Sequence, residues 1–367
     1  MHVVCQKEDL LNGVNTVLKA VSTRTTLSIL QCILLDAHDE EFKMIGNDLE
    51  LGIESSLKST VIEPGSIAID ARIFSEIVKK LPNSDVHIKV DDHQLMTIIC
   101  EKSEFNIPGQ PGNEFIQLPQ ITKNKPLLIS QNVLKEMIHQ TIFSIAIEEI
   151  RPILTGELFE IKDNYLNIVS VDGYRVSIRQ KELDQSFDNI SVVIPGKTLS
   201  EIQKILGNNV DTEVAIYFTD KHILFEMNSS IIVSRLLEGD FPKYDQIFSS
   251  DYETLIKVDR KMMLQSIERA ALIARESKKS PIKFQISGST LAISSNTDLG
   301  KVHEEIDIKR EGKDLEIAFN PRYLIDALKV IENEEIQLTF TSSLNPCIIK
   351  DPVEEKYKYL ILPIRLN

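Results

Sequence analysis

The sequence predicts an α+β fold made of three copies of one unit, each with two helices packed on short antiparallel strands. An amphipathic helix pattern at Ile194–Leu206 recurs without a gap 125 positions earlier, at Ile69–Leu81, and 125 positions later, at Phe319–Ile331. Short alternating segments typical of strands surround each copy. A chain of 367 residues has room for two or three domains, and the period selects three. The expected domains are residues 1–121, 128–248 and 254–367.

The repeated helix has one apolar face and one basic face in every copy. Apolar residues at helical spacing predict the face that enters the core. On the other face, two basic residues two helical turns apart share one stripe. Lys and Arg are good surface helix formers, so a basic pair on one helix is weak evidence for a function. Three pairs at equivalent positions favour a common role. The apolar residues are Phe74, Ile77, Val78, Leu81, Leu199, Ile202, Leu206, Leu324, Ala327, Leu328 and Ile331, and the basic pairs are Arg72 and Lys79, Lys197 and Lys204, and Arg322 and Lys329.

The first copy opens with an amphipathic helix pattern over Lys7–Val21. Strands are predicted at Cys32–Ala37 and Phe42–Asn47, and alternation continues from Leu49 before the chain turns and enters the repeated helix. Two further alternating segments flank the polar turn Asp91-Asp92-His93. Each copy is therefore expected to contain two helices and several short antiparallel strands.

The second and third copies repeat this order. Their opening helices are predicted at Gln131–Ile145 and Arg260–Arg275, each followed by a pair of strands around a polar turn. Asp48, Asp172 and Thr297 follow matching strands at spacings of 124 and 125, so the repeat extends beyond one helix. The predicted joints between the copies are the polar segments Thr122–Pro126 and Ser249–Glu253.

Composition predicts a reduced, cytoplasmic protein that does not span a membrane. The four cysteines are scattered, without a CxxC pair or histidines at metal-ligand spacing, and the first residues contain no apolar signal region. No apolar run reaches the roughly 18 residues that a transmembrane helix needs. The net charge of −14, from 41 basic and 55 acidic residues, argues by itself against a general nucleic-acid binder.

The sequence shows no catalytic, metal or cofactor site. Pro195-Gly196-Lys197-Thr198 is similar to the end of a phosphate-binding loop, but Ser191 stands where the full pattern requires Gly. Pro195 more simply ends a strand before a helix. The seven histidines are dispersed, and no nucleophile with its base is suggested locally. An enzyme acting on nucleotides would need a set of groups that only folding brings together.

Two apolar segments are not explained by core formation alone. Leu360–Asn367 is apolar where a terminus is usually polar and loose, so it either packs inward or offers a surface to partners. Arg235–Tyr244 is a turn-forming loop with aromatic residues on both sides of Pro242. Both segments are therefore candidates for a partner site.

Six segments, all in the second and third copies, carry a family resemblance. They are Arg151–Gly156, Val171–Val176, Val193–Lys197, Ser234–Pro242, Phe319–Leu324 and Leu362–Leu366. In this order they resemble the bacterial sliding clamp, the beta subunit of DNA polymerase III, and look most like clamps of low-GC Gram-positive bacteria. The resemblance implies three DNA-clamp domains that form half of a closed ring. It further implies a non-catalytic processivity factor without cofactors: a head-to-tail homodimer that encircles duplex DNA and tethers the replicative polymerase.

A ring reconciles an acidic protein with DNA. Topological trapping needs only weak, sequence-independent attraction to phosphates, which basic stripes inside the ring provide, while an acidic exterior repels DNA. Twelve helices per dimer, spaced about 8–10 Å apart, make a circle roughly 30–38 Å across. Pro152 and Ile153 replace aromatic residues that some clamps hold near DNA. The expected DNA-binding residues are Arg24, Arg72, Lys79, Lys197, Lys204, Arg322 and Lys329.

The resemblance also implies a hydrophobic cleft for short linear peptides that carry a Gln and apolar anchors. Its ligands would be segments of the polymerase, the clamp loader and repair proteins, bound chiefly by burial of their apolar side chains. The matching residues are Leu154, Thr155, Val171, Gly173, Tyr174, Arg175, Val176, Pro242, Ile247, Leu360, Leu362, Pro363, Ile364, Arg365 and Leu366, with Asn320 and Tyr323 at the margin.

For the dimer, the resemblance places Phe105 and Ile107 of one subunit against Leu272 and Ile273 of the other. Glu104 stands where some clamps carry a basic residue, which weakens a simple picture of opposite charges across the seam. The main alternative is a repeat-built adaptor that binds peptides but does not encircle DNA.

Overall fold

The computed structural model describes residues 1–22, 24–38, 40–147, 150–248, 251–274, 281–298, 300–353 and 356–365. The predicted joint at Ser249–Glu253 lies partly outside these residues, as does Arg275. Among the residues described, no helix is long and apolar enough to cross a membrane.

Six α-helices occur in the described residues, two for each copy of the repeat. The opening helices of the first two copies end earlier than their patterns predict, and each is followed by a short 3-10 turn, at Leu18–Ala20 and at Ile142–Ser144. In the second, the Thr141 hydroxyl donates to the Met137 carbonyl at 2.8 Å, which satisfies a carbonyl of the last turn. The helices are α1 (Lys7–Val17), α2 (Ala71–Lys80), α3 (Gln131–His139), α4 (Gly196–Ile205), α5 (Arg260–Ala274) and α6 (Pro321–Val330).

The chain divides into two compact units, and the first consists of Met1–Leu134 and Glu201–Leu236. It contains two antiparallel sheets. From one edge to the other, the five-stranded sheet comprises Ser59–Glu63, His2–Gln6, Asp85–Val90, Leu95–Cys100 and Ser103–Pro108. In the same sense, the nine-stranded sheet comprises Gln110–Pro111, Gly65–Asp70, Cys32–His38, Glu41–Asn47, Leu51–Leu57, Ser230–Arg235, His222–Met227, Glu213–Phe218 and Leu127–Ser130.

The second unit consists of Lys135–Ser200 and Leu237–Asn367 and is built in the same way. Its nine-stranded sheet comprises Ile190–Pro195, Gly156–Lys162, Tyr165–Val171, Arg175–Glu182, Tyr357–Ile361, Cys347–Lys350, Glu335–Phe340, Thr254–Asp259 and Lys309–Gly312. Its four-stranded sheet comprises Gly300–Asp307, Thr290–Thr297, Ile282–Ser287 and Leu315–Phe319.

Strand pairing joins neighbouring copies of the repeat into continuous sheets. In the first unit, Leu51–Leu57 of the first copy pairs antiparallel with Ser230–Arg235 of the second. In the second unit, Arg175–Glu182 of the second copy pairs with Tyr357–Ile361 of the third. The residues of the predicted central domain are thus divided between the two units. This follows because one of its strands pairs with a strand of the first copy and another pairs with a strand of the third. The three-domain bounds remain a prediction.

The repeated helix enters the core as its pattern predicts. Phe74, Leu199 and Leu324, at equivalent positions, are fully buried. The side chain of Asp70 accepts a hydrogen bond from the Ile73 amide and caps α2, and Asn320 caps α6 in the same way. In α4 the equivalent position is Pro195, which ends the preceding strand.

The aspartates at matching strand ends form the same turn. Asp48 accepts hydrogen bonds from the amides of Glu50 and Leu51, and Asp172 accepts them from the amides of Tyr174 and Arg175. In both turns one carboxylate oxygen satisfies two backbone donors that the strand pairing leaves over. The repeat in sequence is therefore a repeat of local structure.

A carboxyl group is buried in the second unit without a countercharge among its hydrogen-bond partners. Glu157, on the strand Gly156–Lys162, is fully buried, and one of its oxygens accepts a hydrogen bond from the Ser170 hydroxyl at 2.7 Å. Burial raises the pKa of the Glu157 carboxyl to about 8, although hydrogen bonding with Thr141 and Ser170 opposes the shift. Glu157 is thus protonated in the folded protein near neutral pH.

We predict that this group makes stability fall as pH rises. The folded state keeps the Glu157 proton up to about pH 8, whereas the unfolded chain loses it near 4.5, so stabilisation is complete below 4.5 and is lost as pH rises through 8. The slope reaches at most about 1.4 kcal/mol per pH unit. Glu157→Gln is expected to flatten the pH profile of urea denaturation.

Glu182→Gln is the matched control, since this exposed side chain lies in water in both states and its loss leaves the profile unchanged. Equal slopes for wild type and Glu157→Gln between pH 5 and pH 8 would contradict the assignment.

Candidate functional site

An apolar cluster covers part of one face of the nine-stranded sheet in the second unit. It contains four of the residues expected in the peptide cleft, and they lie on three adjacent strands and the turn before them. Phe241, Phe248 and Ile153 pack around its rim. The four residues are Leu154, Val171, Val176 and Leu360.

Arg175 lies beside this cluster as a buried cation, and each of its three side-chain nitrogens has an acceptor. Its guanidinium donates to Asp172 at 2.9 Å, to Asp326 at 2.7 Å and to the Phe143 carbonyl at 2.5 Å. The ring of Tyr323 lies 4.7 Å from its central carbon and the ring of Phe143 5.2 Å. The side chain is only 7% exposed, so these partners replace water almost completely.

The segment after the strand Tyr357–Ile361 is held at the same place by its backbone. The Leu362 amide donates to the Tyr174 carbonyl at 2.9 Å, and the Ile364 amide donates to the Ala318 carbonyl at 2.8 Å. Tyr174 stacks on Tyr323 with ring centroids 6.0 Å apart, yet remains 60% exposed. Exposed apolar and aromatic surface therefore lies directly beside the buried cluster.

The other expected cleft residues lie around this surface. Gly173 has φ +89°, which the tight turn before Arg175 requires and which favours glycine. Pro242, Pro363, Ile364 and Thr155 are half-buried, and Ile247 and Arg365 are exposed. Asn320 serves as the N-cap of α6, so its side chain has a structural role. Leu366 lies outside the described residues.

Sequence reasoning missed the acceptors that hold Arg175. Asp326 was not singled out, although the sequence contained a signal, because Glu76 and Glu201 occupy the equivalent positions of the other two repeats. Asp172 was noted only as part of the repeat. The role of the Phe143 carbonyl has no signal in the sequence, since the position of this backbone group depends on the path of the chain after α3.

The basic stripe lies on exposed helix faces, and its second position is paired with carboxylates. Each of the three lysines at that position lies within 3.0 Å of a glutamate oxygen. Such exposed pairs are worth about 0.2–1 kcal/mol and exchange readily with other anions. The pairs are Lys79 with Glu76, Lys204 with Glu201, and Lys329 with Glu268.

The other expected DNA-binding residues are also on the surface. Arg24, Arg72 and Lys197 are exposed. Arg322 is 68% exposed, with its Nε 3.9 Å from Asp326. Asp326 thus faces both the buried Arg175 and the exposed Arg322.

The residues expected at the dimer seam differ in exposure. Phe105 is 37% and Leu272 63% exposed, whereas Ile107 is buried in its own unit and Ile273 is half-buried. Phe105 lies on Ser103–Pro108, which is an edge strand of its sheet.

The described residues offer no group of three His, Cys, Asp or Glu side chains that could hold a metal ion. All four cysteines are buried free thiols, and burial raises the pKa of Cys5 to about 12 and that of Cys32 to about 11. They are therefore inert at neutral pH, because the thiolate is the reactive form.

Comparisons with known proteins agree over the full length of the chain. Family models of the DNA polymerase III beta subunit match it in sequence, with the N-terminal domain at residues 1–119, the central domain at 128–243 and the C-terminal domain at 245–365. The beta sliding clamp of Bacillus subtilis (strain 168) is 40% identical over 377 residues, covering 100% of both chains.

Solved structures show the same similarity. The crystal structure of the Bacillus subtilis DNA polymerase sliding clamp has a TM-score of 0.97 at 39% identity. A Pseudomonas aeruginosa sliding clamp bound to griselimycin has a TM-score of 0.93 at 28% identity. Each alignment covers 100% of both chains.

Arg175→Met is expected to lower the free energy of unfolding of the second unit by about 3 kcal/mol, because it leaves two carboxylates without their buried cation. Arg322→Met is the matched control, since it removes an exposed arginine near the same Asp326, with an expected effect below about 0.5 kcal/mol. Urea denaturation, with hydrogen exchange measured on the strand Arg175–Glu182, checks both values. Equal effects of the two substitutions would contradict the role given to Arg175.

Proposed function

Because the chain belongs to the bacterial family of beta sliding clamps, the non-catalytic beta subunits of DNA polymerase III, we propose that it encircles duplex DNA as a homodimer and tethers proteins to it. The observation that carries the proposal is the match of all three clamp domains along one chain. We further propose that it acts in the cytoplasm at replicating DNA. Its partners would be the polymerase, the clamp loader and repair proteins.

The ion pairs of the basic stripe support a role in which the ring holds DNA by encircling it and binds the phosphates only weakly. The lysines at its second position already have carboxylate partners, so a phosphate gains only the difference between two exposed ion pairs. Contacts of lysine and arginine to phosphates alone would carry no sequence preference. Weak, exchangeable attraction suits a protein that has to move along DNA.

Replacing Lys197, Lys204, Arg322 and Lys329 together with Gln is expected to shorten retention on DNA. Each lost phosphate contact makes the negative slope of log affinity against log salt concentration less steep by about 0.9. The measurement is loader-dependent retention on circular and on linear duplex DNA at several salt concentrations. Wild type should remain on circular DNA and slide off linear DNA. A peptide adaptor that does not encircle DNA would show no such difference between the two.

The control replaces four exposed lysines outside the repeated helices, Lys58, Lys221, Lys309 and Lys313, and so matches the change in net charge. If the two quadruple variants behave alike at every salt concentration, the stripe does not face DNA.

The cleft is proposed to bind peptides at the exposed edge of the apolar cluster. Leu362 is 38% and Tyr174 60% exposed, and both are fixed by the hydrogen bond between their backbones. Fixed apolar surface costs little conformational entropy on binding, so the anchors of a peptide gain most of the burial energy. Leu154, Val176 and Leu360 form the floor beneath.

Deleting Leu362–Asn367 is expected to abolish binding of a fluorescent peptide that carries a Gln and apolar anchors, while the mass in solution remains that of the dimer. Leu362→Ala should weaken binding at least about tenfold, through loss of apolar contact. Leu344→Ala, at a side chain 66% exposed and outside the cluster, should leave affinity unchanged. Retained affinity in the deletion variant would refute the cleft.

For the dimer we propose that Phe105 and Ile107 of one subunit meet Leu272 and Ile273 of the other. Each unit presents an edge strand near these residues: Ser103–Pro108 carries Phe105, and Gly300–Asp307 packs against α5, which carries Leu272. Edge strands offer unpaired backbone groups to a second chain. Because Ile107 is already buried, Phe105 and Leu272 supply most of the apolar surface.

A further inference from the structure

One carboxylate oxygen of α6 lies between the proposed peptide cleft and the basic stripe. The Oδ2 atom of Asp326 is 2.7 Å from Nη1 of the buried Arg175 and 3.9 Å from Nε of the exposed Arg322. Arg175 belongs to the expected cleft residues, and Arg322 belongs to the residues expected to meet DNA. A single side chain therefore pairs with one member of each proposed site.

The two arginines differ in how easily they exchange this oxygen for another partner. Arg175 is buried, and its other nitrogens donate to Asp172 and to the Phe143 carbonyl, so its surroundings are fixed. Arg322 is 68% exposed, and an exposed ion pair exchanges readily with other anions. A phosphate that approaches α6 therefore replaces Asp326 at Arg322 and leaves the buried pair in place.

Asp326 has two alternative arrangements because Arg322 lies four residues before it on the same helix. Residues at this spacing are neighbours on a helix surface and can pair directly. In the observed arrangement Asp326 is closer to Arg175. In the alternative, the carboxylate turns fully to Arg322, and Arg175 keeps Asp172 and the Phe143 carbonyl. Arg322 thus competes with Arg175 for one carboxylate.

The aromatic surface beside the apolar cluster depends on which arginine holds Asp326. The Tyr323 ring lies 4.7 Å from the central carbon of the Arg175 guanidinium and stacks on Tyr174 with centroids 6.0 Å apart. Tyr323 is on α6, as Asp326 is, so the bond from Arg175 to Asp326 ties this helix to the strand that Arg175 begins. The observed arrangement is the one that fixes both rings before a peptide binds.

We propose that Asp326 couples the peptide cleft to the basic stripe, so that a phosphate bound by Arg322 leaves Asp326 to Arg175 and raises peptide affinity. A ligand that removes one of two alternatives shifts the population to the other. The coupling is reciprocal, so a bound peptide strengthens the attraction of Arg322 for phosphate by the same factor. The inference rests on the proposed DNA and peptide binding and adds a regulation of the cleft. A clamp on DNA binds its partners more tightly than a free clamp.

The test measures binding of a fluorescent, uncharged peptide that carries a Gln and apolar anchors. Fluorescence polarisation gives its affinity for the free clamp and for the clamp loaded on circular duplex DNA and separated from the loader. The proteins are wild type, Arg322→Gln and Lys329→Gln. Lys329 is the matched control, since it also belongs to the stripe on α6 but pairs with Glu268 of α5 at 3.0 Å.

Wild type is expected to bind the peptide about 1.5- to 2.5-fold more tightly on DNA than free, because the strength of an exposed ion pair limits the effect. Arg322→Gln has lost the competing cation, so it should bind, both on DNA and free, with the affinity that wild type reaches on DNA. Lys329→Gln should keep the difference that wild type shows. An effect of net charge alone would instead change both variants alike.

Equal affinities of wild type on and off DNA would overturn the coupling while leaving the cleft and the ring intact. A difference that persists in Arg322→Gln, or is lost equally in Lys329→Gln, would also overturn it. If free wild type does not bind the peptide, or is not retained on circular DNA, the proposed function itself is refuted, and the coupling with it.

Discussion

The buried guanidinium of Arg175 is the constraint on which the geometry around the apolar cluster depends. A cation removed from water needs acceptors at fixed positions, and these come from three separate parts of the second unit: a turn, the segment after α3, and α6. Satisfying one side chain therefore fixes those parts relative to the start of the strand Arg175–Glu182. The exposed ring of Tyr174 and the half-buried ring of Tyr323 take their positions from this arrangement.

The same interaction explains why the third repeat departs from the first two. Glu76 and Glu201 each pair with the lysine three residues later on the same helix. The equivalent Asp326 is occupied by Arg175, and Lys329 pairs instead with Glu268 of α5. In two repeats the carboxylate at this position forms a surface ion pair with a lysine of its own helix. In the third repeat the carboxylate binds the buried Arg175, and the lysine pairs with a glutamate of the neighbouring helix.

The local features of the fold were readable from the sequence. The apolar spacing of Phe74, Leu199 and Leu324 was sufficient because a helix face depends only on nearby residues. The grouping of the candidate cleft residues could be predicted only by resemblance, since these residues meet through long-range pairing. No local pattern shows that Ile361 lies opposite Arg175, or that Asp326 pairs with a buried arginine while Glu201 pairs with an exposed lysine. The burial of Glu157 was equally invisible, because alternation does not reveal which strand has a covered second face.

The strand Tyr357–Ile361 sits in the sheet between Arg175–Glu182 and Cys347–Lys350, although roughly 175 residues separate it from the first of these in the chain. On a ribosome working at about 5–20 residues per second, the edge of Arg175–Glu182 thus waits roughly 10–35 s for its partner. During that time the nascent chain exposes an unpaired strand edge. Such an edge can pair with a wrong strand or bind a chaperone. The apolar cluster also lacks Leu360 until then, so this face of the sheet is completed only when the last strand has been translated.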